Sequence, residues 1–214
     1  MVQSQILICF AVKEEAEFLD RKSSGVLITG MGQRNASEKL RNALASVQPE
    51  LVLTCGFAGG LNPKLPLGAI VFDEDAGMRL SAGLLKSGAL AAQFHCATRV
   101  AITAAEKQSL WQSTGADAVE MESSAIRSTC RERGIPSATI RVISDTAQED
   151  LPLDFNALMT LDDRISYTRL AWKILGSPKA IPRLIQFRQQ TLLAARKLAE
   201  ALQQVLASLA DGRR

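Results

Sequence analysis

Short apolar runs alternate with longer amphipathic stretches along most of the chain. The apolar runs are rich in β-branched residues and bounded by polar ones, which is typical of buried strands; they lie at residues 6–12, 26–29, 51–55, 69–72, 99–103, 118–119 and 138–143. The stretches between them predict helices that begin near Glu14 and Ala105 and that span residues 35–47 and 122–133. Regular alternation of strands and helices predicts an α/β fold with a largely parallel sheet.

The last stretch predicts one long helix, from about Arg183 to Leu209. Its apolar residues recur at helical spacing and form one stripe, which predicts docking on the sheet. The helix is also rich in Lys and Arg, so peripheral contact with a membrane surface is a second interpretation. Because no internal repeat or linker divides the sequence, we expect residues 1–214 to form a single three-layer domain around a central mixed, largely parallel sheet.

Composition favours a small-molecule ligand. The 25 basic and 22 acidic residues nearly balance, and aromatic residues make up only 5% of the chain, which argues against nucleic acid as the partner. The four cysteines form no CxxC pair, so the sequence predicts reduced thiols and no zinc site or disulfide framework. The N-terminus lacks the pattern of a signal peptide, so we expect a cytoplasmic location. Neither a metal nor a cofactor is predicted.

Acidic residues cluster where two predicted strands end. Glu120 and Glu122 follow the strand at 118–119, and Asp145 follows the strand at 138–143. In open α/β sheets the carboxyl ends of the strands hold the ligand. Carboxylates at this edge suit the cleavage of a nucleoside's glycosidic bond, which needs an acid at the departing base and an anion near the sugar.

Two glycine-rich turns also follow predicted strands. The first, TGMG at 29–32, precedes a helix and would let backbone N–H groups approach an anion or a sugar. A dinucleotide fingerprint would need a third glycine where the chain has Asn35, so a nicotinamide cofactor is not predicted. The second turn, CGFAGGL at 55–61, would let the main chain pass under a ligand. By itself it fits a close-packed structural turn equally well.

Three motifs in order resemble the purine nucleoside phosphorylase and nucleosidase superfamily: GFAGGL at 56–61, VEMESSAI at 119–126 and IRVISD at 140–145. The acidic stretch at 11–19 resembles the branch that contains methylthioadenosine/S-adenosylhomocysteine nucleosidase. The strings TAAEKQ at 103–108 and TGADAVEME at 114–122, with the basic, proline-containing tail, are similar to the hopanoid-associated phosphorylases. The resemblance implies the α/β fold of that superfamily, cleavage of a purine nucleoside, and a homodimer.

The resemblance also implies roles for individual residues. Asp145 would share a proton with purine N7, with Ser144 as its hydrogen-bonding helper, while Glu122 would accept hydrogen bonds from the ribose hydroxyls and Glu15 would activate water. Further substrate contacts would come from Met121, Met31, Gly32, Phe57, Ala58, Gly59 and Arg141, the last by ordering a network of water and carboxylates. Glu120 is a structural candidate.

Each carboxylate also has an ordinary structural explanation. Asp145 could cap a helix, Glu122 could lie in a first helical turn, and Glu15 could belong to a solvated helix start with Glu14 and Glu17.

Two departures from the nucleosidase pattern weaken that assignment, one at the site of the nucleophile and one at the site of the base. Phe57 replaces the usual serine, and residues 101–106 lack the aromatic residue that nucleosidases stack on adenine. If inorganic phosphate is a co-substrate, its cation would be Arg34 beside Gly30, ahead of Arg79, Arg99 and Arg141. Three functions stay open: hydrolysis of a 5′-modified adenosine, which we slightly prefer; phosphorolysis of such a nucleoside, including an adenosyl-hopane-like lipid intermediate; and nucleoside binding without catalysis.

Overall fold

A computed structural model of the chain describes residues 6–19, 25–76, 80–160 and 181–211. Its strands are β1 (Ile6–Phe10), β2 (Gly25–Ile28), β3 (Leu51–Gly60), β4 (Ile70–Glu74), β5 (Leu90–Ala91), β6 (Phe94–Cys96), β7 (Ala118–Glu120) and β8 (Ser137–Asp145). Its helices are α1 (Gln33–Ala43), α2 (Leu80–Lys86), α3 (Ala104–Thr114), α4 (Ser123–Glu132), α5 (Phe155–Leu158) and α6 (Ile181–Asp211), and a 3-10 turn spans Lys13–Ala16.

The strands form one mixed sheet in the order β2-β1-β3-β8-β4-β5. Neighbours β2, β1, β3 and β8 run parallel, and β4 joins β8 in the antiparallel direction. The end of β3 leaves this order and pairs antiparallel with β7, which pairs parallel with β6. The predicted α/β fold with a mixed, largely parallel sheet is confirmed.

Helices cover both faces of this sheet. In β1, Ile8 packs in a core cluster with Leu198 of α6, whereas its neighbour Leu7 packs with Leu40 of α1 and Ile126 of α4. Successive residues of a strand point to opposite faces, so the two clusters lie on opposite sides. The architecture is therefore three-layered.

The long C-terminal helix is confirmed, and its second half supplies the docking stripe. Ala194, Leu198, Leu202 and Val205 are buried in the core cluster beneath α6. The first half is mostly exposed. No helix among residues 6–19, 25–76, 80–160 and 181–211 is both long and apolar enough to cross a membrane.

The prediction of a strand at residues 99–103 is wrong. The strand in this region is β6, and residues 99–103 lead into α3. Thr103 and Glu106 form a capping box: the Thr103 hydroxyl accepts the N–H of Glu106, and the Glu106 carboxylate accepts those of Ile102 and Thr103. These amides therefore begin a helix rather than a sheet ladder. The helix predicted from Glu14 is likewise only one 3-10 turn.

All four cysteines are free thiols. Cys9, Cys55 and Cys130 are buried, and Cys96 is half-buried. Burial raises the pKa of each thiol, to about 12 for Cys96 and Cys130.

Candidate active site

Residues from distant parts of the sequence meet at the carboxyl edge of the parallel strands. The Glu15 carboxylate, beyond β1, accepts the N–H of Phe57 in β3 at 2.8 Å. The Glu122 carboxylate, between β7 and α4, accepts the N–H of Gly32 beyond β2 at 2.9 Å. Asp145 ends β8, which pairs with β3 from Val52 to Gly59. This is the edge at which the sequence predicts a ligand.

Glu15 is buried and held by the main chain. Its Oε2 accepts the N–H groups of Ala11 at 2.8 Å and Val12 at 3.1 Å, while its Oε1 accepts that of Phe57. Glu14 and Glu17 are exposed, so the solvated helix start does not describe Glu15. Burial raises the pKa of Glu15, against the opposing charge of Arg141 and the three amides. A raised pKa makes the Glu15 carboxylate a stronger base than a carboxylate in water.

Arg141 is a buried cation among these carboxylates. Its Nη2 lies 2.5 Å from Glu120 Oε2 and 3.5 Å from Glu122 Oε2, and its Nη1 donates to the carbonyl of Cys55 at 3.2 Å. The carboxylate network predicted around Arg141 is therefore present in the structure. Its buried Nε has no hydrogen-bond partner among the described residues.

Glu120 and Glu122 differ in what they bind. Glu120 accepts the N–H groups of Glu122 and Ser123 and the Ser123 hydroxyl, so it fixes the start of α4. Burial acts to raise the pKa of Glu120, but Arg141 and these hydrogen bonds bring it below its usual value. Burial raises the pKa of Glu122 to about 7, against the attraction of Arg141 and with the help of Glu120 and Glu15. Glu122 bonds to Gly32 and makes no side-chain cap of α4, unlike an ordinary first-turn glutamate.

The glycines of β3 leave room for the charged side chains. A Cβ at Gly56 would overlap Glu15 Oε1 and lie 2.5 Å from Arg141 Nη1. A Cβ at Gly59 would lie 3.2 Å from Asp145 Oδ2. The glycine-rich turn at 55–61 is therefore close-packed, as expected of a structural turn. The side chains against which it packs include the carboxylates of Glu15 and Asp145.

Phe57 and Ala58 lie between these glycines. The Phe57 ring is partly buried against the sheet core that includes Phe72, which is the ordinary role of a core phenylalanine. Ala58 is buried, and its carbonyl oxygen lies 3.4 Å from Ser144 Oγ.

Both oxygens of Asp145 receive hydrogen bonds. Ser144 Oγ donates to Oδ1 at 2.7 Å, and Lys107 Nζ donates to Oδ2 at 2.5 Å. Among the described residues, the hydrogen bonds of the Asp145 carboxylate come from these two side chains and not from the N–H groups that a helix cap would accept. The N–H of the next residue, Thr146, is bound by Glu149 at 2.8 Å. The pairing of Asp145 with Ser144 agrees with the helper role that the resemblance implies.

Lys107 is a site residue that the sequence did not predict. It is fully buried, and it also donates to the carbonyls of Thr146 at 2.8 Å and Glu149 at 2.9 Å. One signal was available, since Lys107 lies one helical turn before Leu110, which packs against the core. Residues three apart share a helix face, so Lys107 faces inward.

The first glycine turn, at 29–32, lies beside Glu122, and the N–H groups of its two glycines already make hydrogen bonds. The N–H of Gly30 donates to the carbonyl of Ala11 at 3.1 Å, and that of Gly32 donates to Glu122. Met31 is half-buried, Met121 is buried, and Arg34 is exposed at the start of α1.

The remaining candidate cations lie elsewhere. Arg99 forms an exposed pair with Glu106 at 2.7 Å, and Arg79 lies outside the described residues. No group of three or more His, Cys, Asp or Glu is arranged to hold a metal ion in the part of the chain that the structure describes.

A cleft of about 460 Å³ opens beside Asp145. Its walls come from the turn after β8 and from the first half of α6, including Glu149, Phe187 and Gln190. Gln190 bonds to Glu149 at 3.0 Å, and the ring of Phe187 lies against that of Phe155 with centroids 5.6 Å apart. Solvent therefore reaches Asp145 past α6.

Comparison with known proteins finds a family model and solved structures that are similar to this chain. Residues 74–163 match the model of the phosphorylase superfamily. S-adenosylhomocysteine nucleosidase from Streptococcus pyogenes, solved with 5-methylthiotubericidin, has a similar structure at 17% identity and a TM-score of 0.70, with 98% of each chain covered. Futalosine hydrolase of Helicobacter pylori is similar at 16% identity and a TM-score of 0.67, over 97% of this chain and 100% of that one.

The predicted resemblance to the nucleoside phosphorylase and nucleosidase superfamily is confirmed. The segment of this chain that matches the superfamily model contains Lys107, Glu122, Arg141 and Asp145. A further similar structure, the methylthioadenosine/S-adenosylhomocysteine nucleosidase from Colwellia psychrerythraea with adenine, has 18% identity and a TM-score of 0.67, with 95% of each chain covered. At these identities the likeness to the solved structures establishes the fold.

Proposed function

We propose that this protein cleaves the N-glycosidic bond of a purine nucleoside of the adenosine type with a modified 5′ position, and that it releases adenine. The superfamily match and the nucleosidase neighbours support an enzyme that acts on nucleosides. The observation that carries the proposal is the convergence of three buried carboxylates, Glu15, Glu122 and Asp145, at one edge of the sheet.

Each carboxylate suits one part of the reaction. Breaking the C1′–N9 bond leaves positive charge on the sugar and negative charge on the purine. Asp145, supported by Ser144, would deliver a proton to N7, and Glu122 would bind the ribose hydroxyls with Met121 against the sugar. Glu15 would take a proton from the attacking water, for which its position, fixed by the N–H of Phe57, is suited.

Water is the nucleophile that we slightly prefer. The amide of Gly30, which with Arg34 is the candidate phosphate ligand, is already bonded to the carbonyl of Ala11. Phosphorolysis is the second candidate, including that of an adenosyl-hopane-like lipid intermediate. The observation in its favour is the buried Nε of Arg141, which has no partner among the described residues and could donate to a phosphate oxygen.

The test is release of adenine from adenosine, methylthioadenosine, S-adenosylhomocysteine and an apolar 5′-alkyl adenosine, each with and without inorganic phosphate. Release without phosphate is expected. Strict dependence on phosphate would establish phosphorolysis instead, and preference for the alkyl compound would indicate a lipid-linked substrate. Adenine binding without release from any compound would leave a non-catalytic nucleoside-binding protein.

Glu15→Gln tests the choice of nucleophile. We expect hydrolysis to fall by at least about 10²-fold, because the amide cannot accept the water proton. The matched control is Glu14→Gln, which changes the exposed neighbour and should leave hydrolysis intact. Unchanged hydrolysis in Glu15→Gln would remove this residue from the mechanism.

A further inference from the structure

Lys107 is a buried charge to which the proposed function gives no role. An ammonium group is costly to bury unless it is paired and hydrogen-bonded. Here its three N–H donors have three acceptors, namely Asp145 Oδ2 and the carbonyl oxygens of Thr146 and Glu149. The site therefore holds Lys107 in its protonated form beside Asp145.

This arrangement leaves Asp145 without a proton to give. Its Oδ1 is bound by Ser144 and its Oδ2 by Lys107, so both oxygens act as acceptors, as those of a carboxylate do. A carboxylate can act as an acid at the purine only after it receives a proton. The nearest group that carries one is the Lys107 ammonium, at 2.5 Å.

We propose that Lys107 and Asp145 share one proton, and that Lys107 supplies, through Asp145, the proton that reaches N7 of the departing purine. This rests on the proposed function. The hydrogen-bond count fits the transfer, because a neutral amine keeps two N–H groups and two carbonyls, those of Thr146 and Glu149, remain to accept them. Lys107 therefore loses no bond to the main chain when it gives up its third proton.

The C1′–N9 bond breaks and its electron pair goes to the purine, while water bonds to C1′ and passes a proton to Glu15. Asp145 protonates N7 and receives the proton of Lys107. After the base leaves, Lys107 is reprotonated from solvent through Asp145, whose side chain is 9% exposed at the cleft, and Glu15 releases its proton to solvent.

Lys107 acts through Asp145, so it is a positioning residue and its test must separate proton supply from charge. The charged groups that face it are Asp145 and Glu149, whose carboxylate is itself held by the amide and hydroxyl of Thr146. Lys107→Arg keeps a positive charge but cannot release a proton near neutral pH. Lys107→Met removes both the charge and the proton and keeps an unbranched side chain.

The experiment measures kcat and kcat/KM for purine release from about pH 5 to about pH 10. The variants are Lys107→Met, Lys107→Arg, Asp145→Asn and the Lys107→Met/Asp145→Asn double variant, with the exposed Lys39→Met as control. We expect Lys107→Met to lower kcat at pH 8 by on the order of 10²-fold and to lose activity at a lower pH than the wild type. Lys107→Arg should not restore kcat, and Lys107→Met should add little to Asp145→Asn.

A wild-type pH profile in Lys107→Met, or full recovery in Lys107→Arg, would overturn the inference while purine release by the wild type upholds the proposed function. No release by the wild type from any nucleoside would overturn both. If Lys107→Met does not fold, as shown by its circular dichroism, the profile of Lys107→Arg decides alone.

Discussion

Folding moves the Glu122 carboxyl from water to a buried position against the amide of Gly32. Burial raises its pKa from an ordinary value of 4.5 to about 7, so between these pH values the folded protein binds more protons than the unfolded chain. The free energy of unfolding must then fall as pH rises through this window, by up to about 3 kcal/mol from this group.

Glu122→Gln removes this dependence, because the amide does not ionise. We expect the variant to be more stable than the wild type above pH 7 and close to it near pH 4.5, as measured by urea unfolding at several pH values. Glu38→Gln, an exposed substitution on α1, is the control. An equal slope in Glu122→Gln and the wild type would contradict the burial argument.

At the scale of residues, the sequence predicted those site residues that both carry a suitable functional group and lie in a motif of the superfamily. Glu15, Glu122 and Asp145 are all buried at the predicted edge, although their catalytic roles stay predictions. Lys107 was missed because a lysine in a polar helical stretch looks solvated. Its burial depends on Asp145, 38 residues further along, and such a partner has no signature in the local pattern.

At the scale of elements, the sequence predicted strands that are rich in apolar, β-branched residues. It did not predict strand segments that are held only by hydrogen bonds to neighbouring strands. The prediction ended β3 at residue 55, but the strand continues to Gly60. Glycine is depleted in strands, so no propensity indicated this extension. The ladder to β8, which reaches Asp145, and the pairing with β7 supply the hydrogen bonds that hold it.

Helix α6 offers a stability test at the same scale. Leu198 is fully buried against the sheet, whereas Leu193 is 45% exposed on the same helix. We expect Leu198→Ala to lower the free energy of unfolding by about 2–5 kcal/mol, through lost burial and the cavity left behind. Leu193→Ala, the matched control, should change it by about 0.5 kcal/mol or less, as measured by urea unfolding. Equal effects would mean that α6 does not dock as described.

At the scale of the whole molecule, the three-layer architecture followed from the alternation of strands and helices, but assembly did not. The homodimer is implied by the resemblance alone. We expect a particle of about twice the chain mass of 23.1 kDa in sedimentation equilibrium at micromolar concentration. A mass equal to that of one chain would contradict this prediction. Peripheral membrane contact through α6 likewise stays a prediction.

The reactivity of the free thiols reports local unfolding of this protein. Cys9 in β1 and Cys55 in β3 lie on neighbouring central strands, and burial raises the pKa of both. An alkylating reagent attacks the thiolate, so these two sulfurs are protected as long as the central strands stay packed. Half-buried Cys96 lacks that degree of cover. The order in which the sulfurs are modified therefore reports which part of the sheet separates first, without any introduced label.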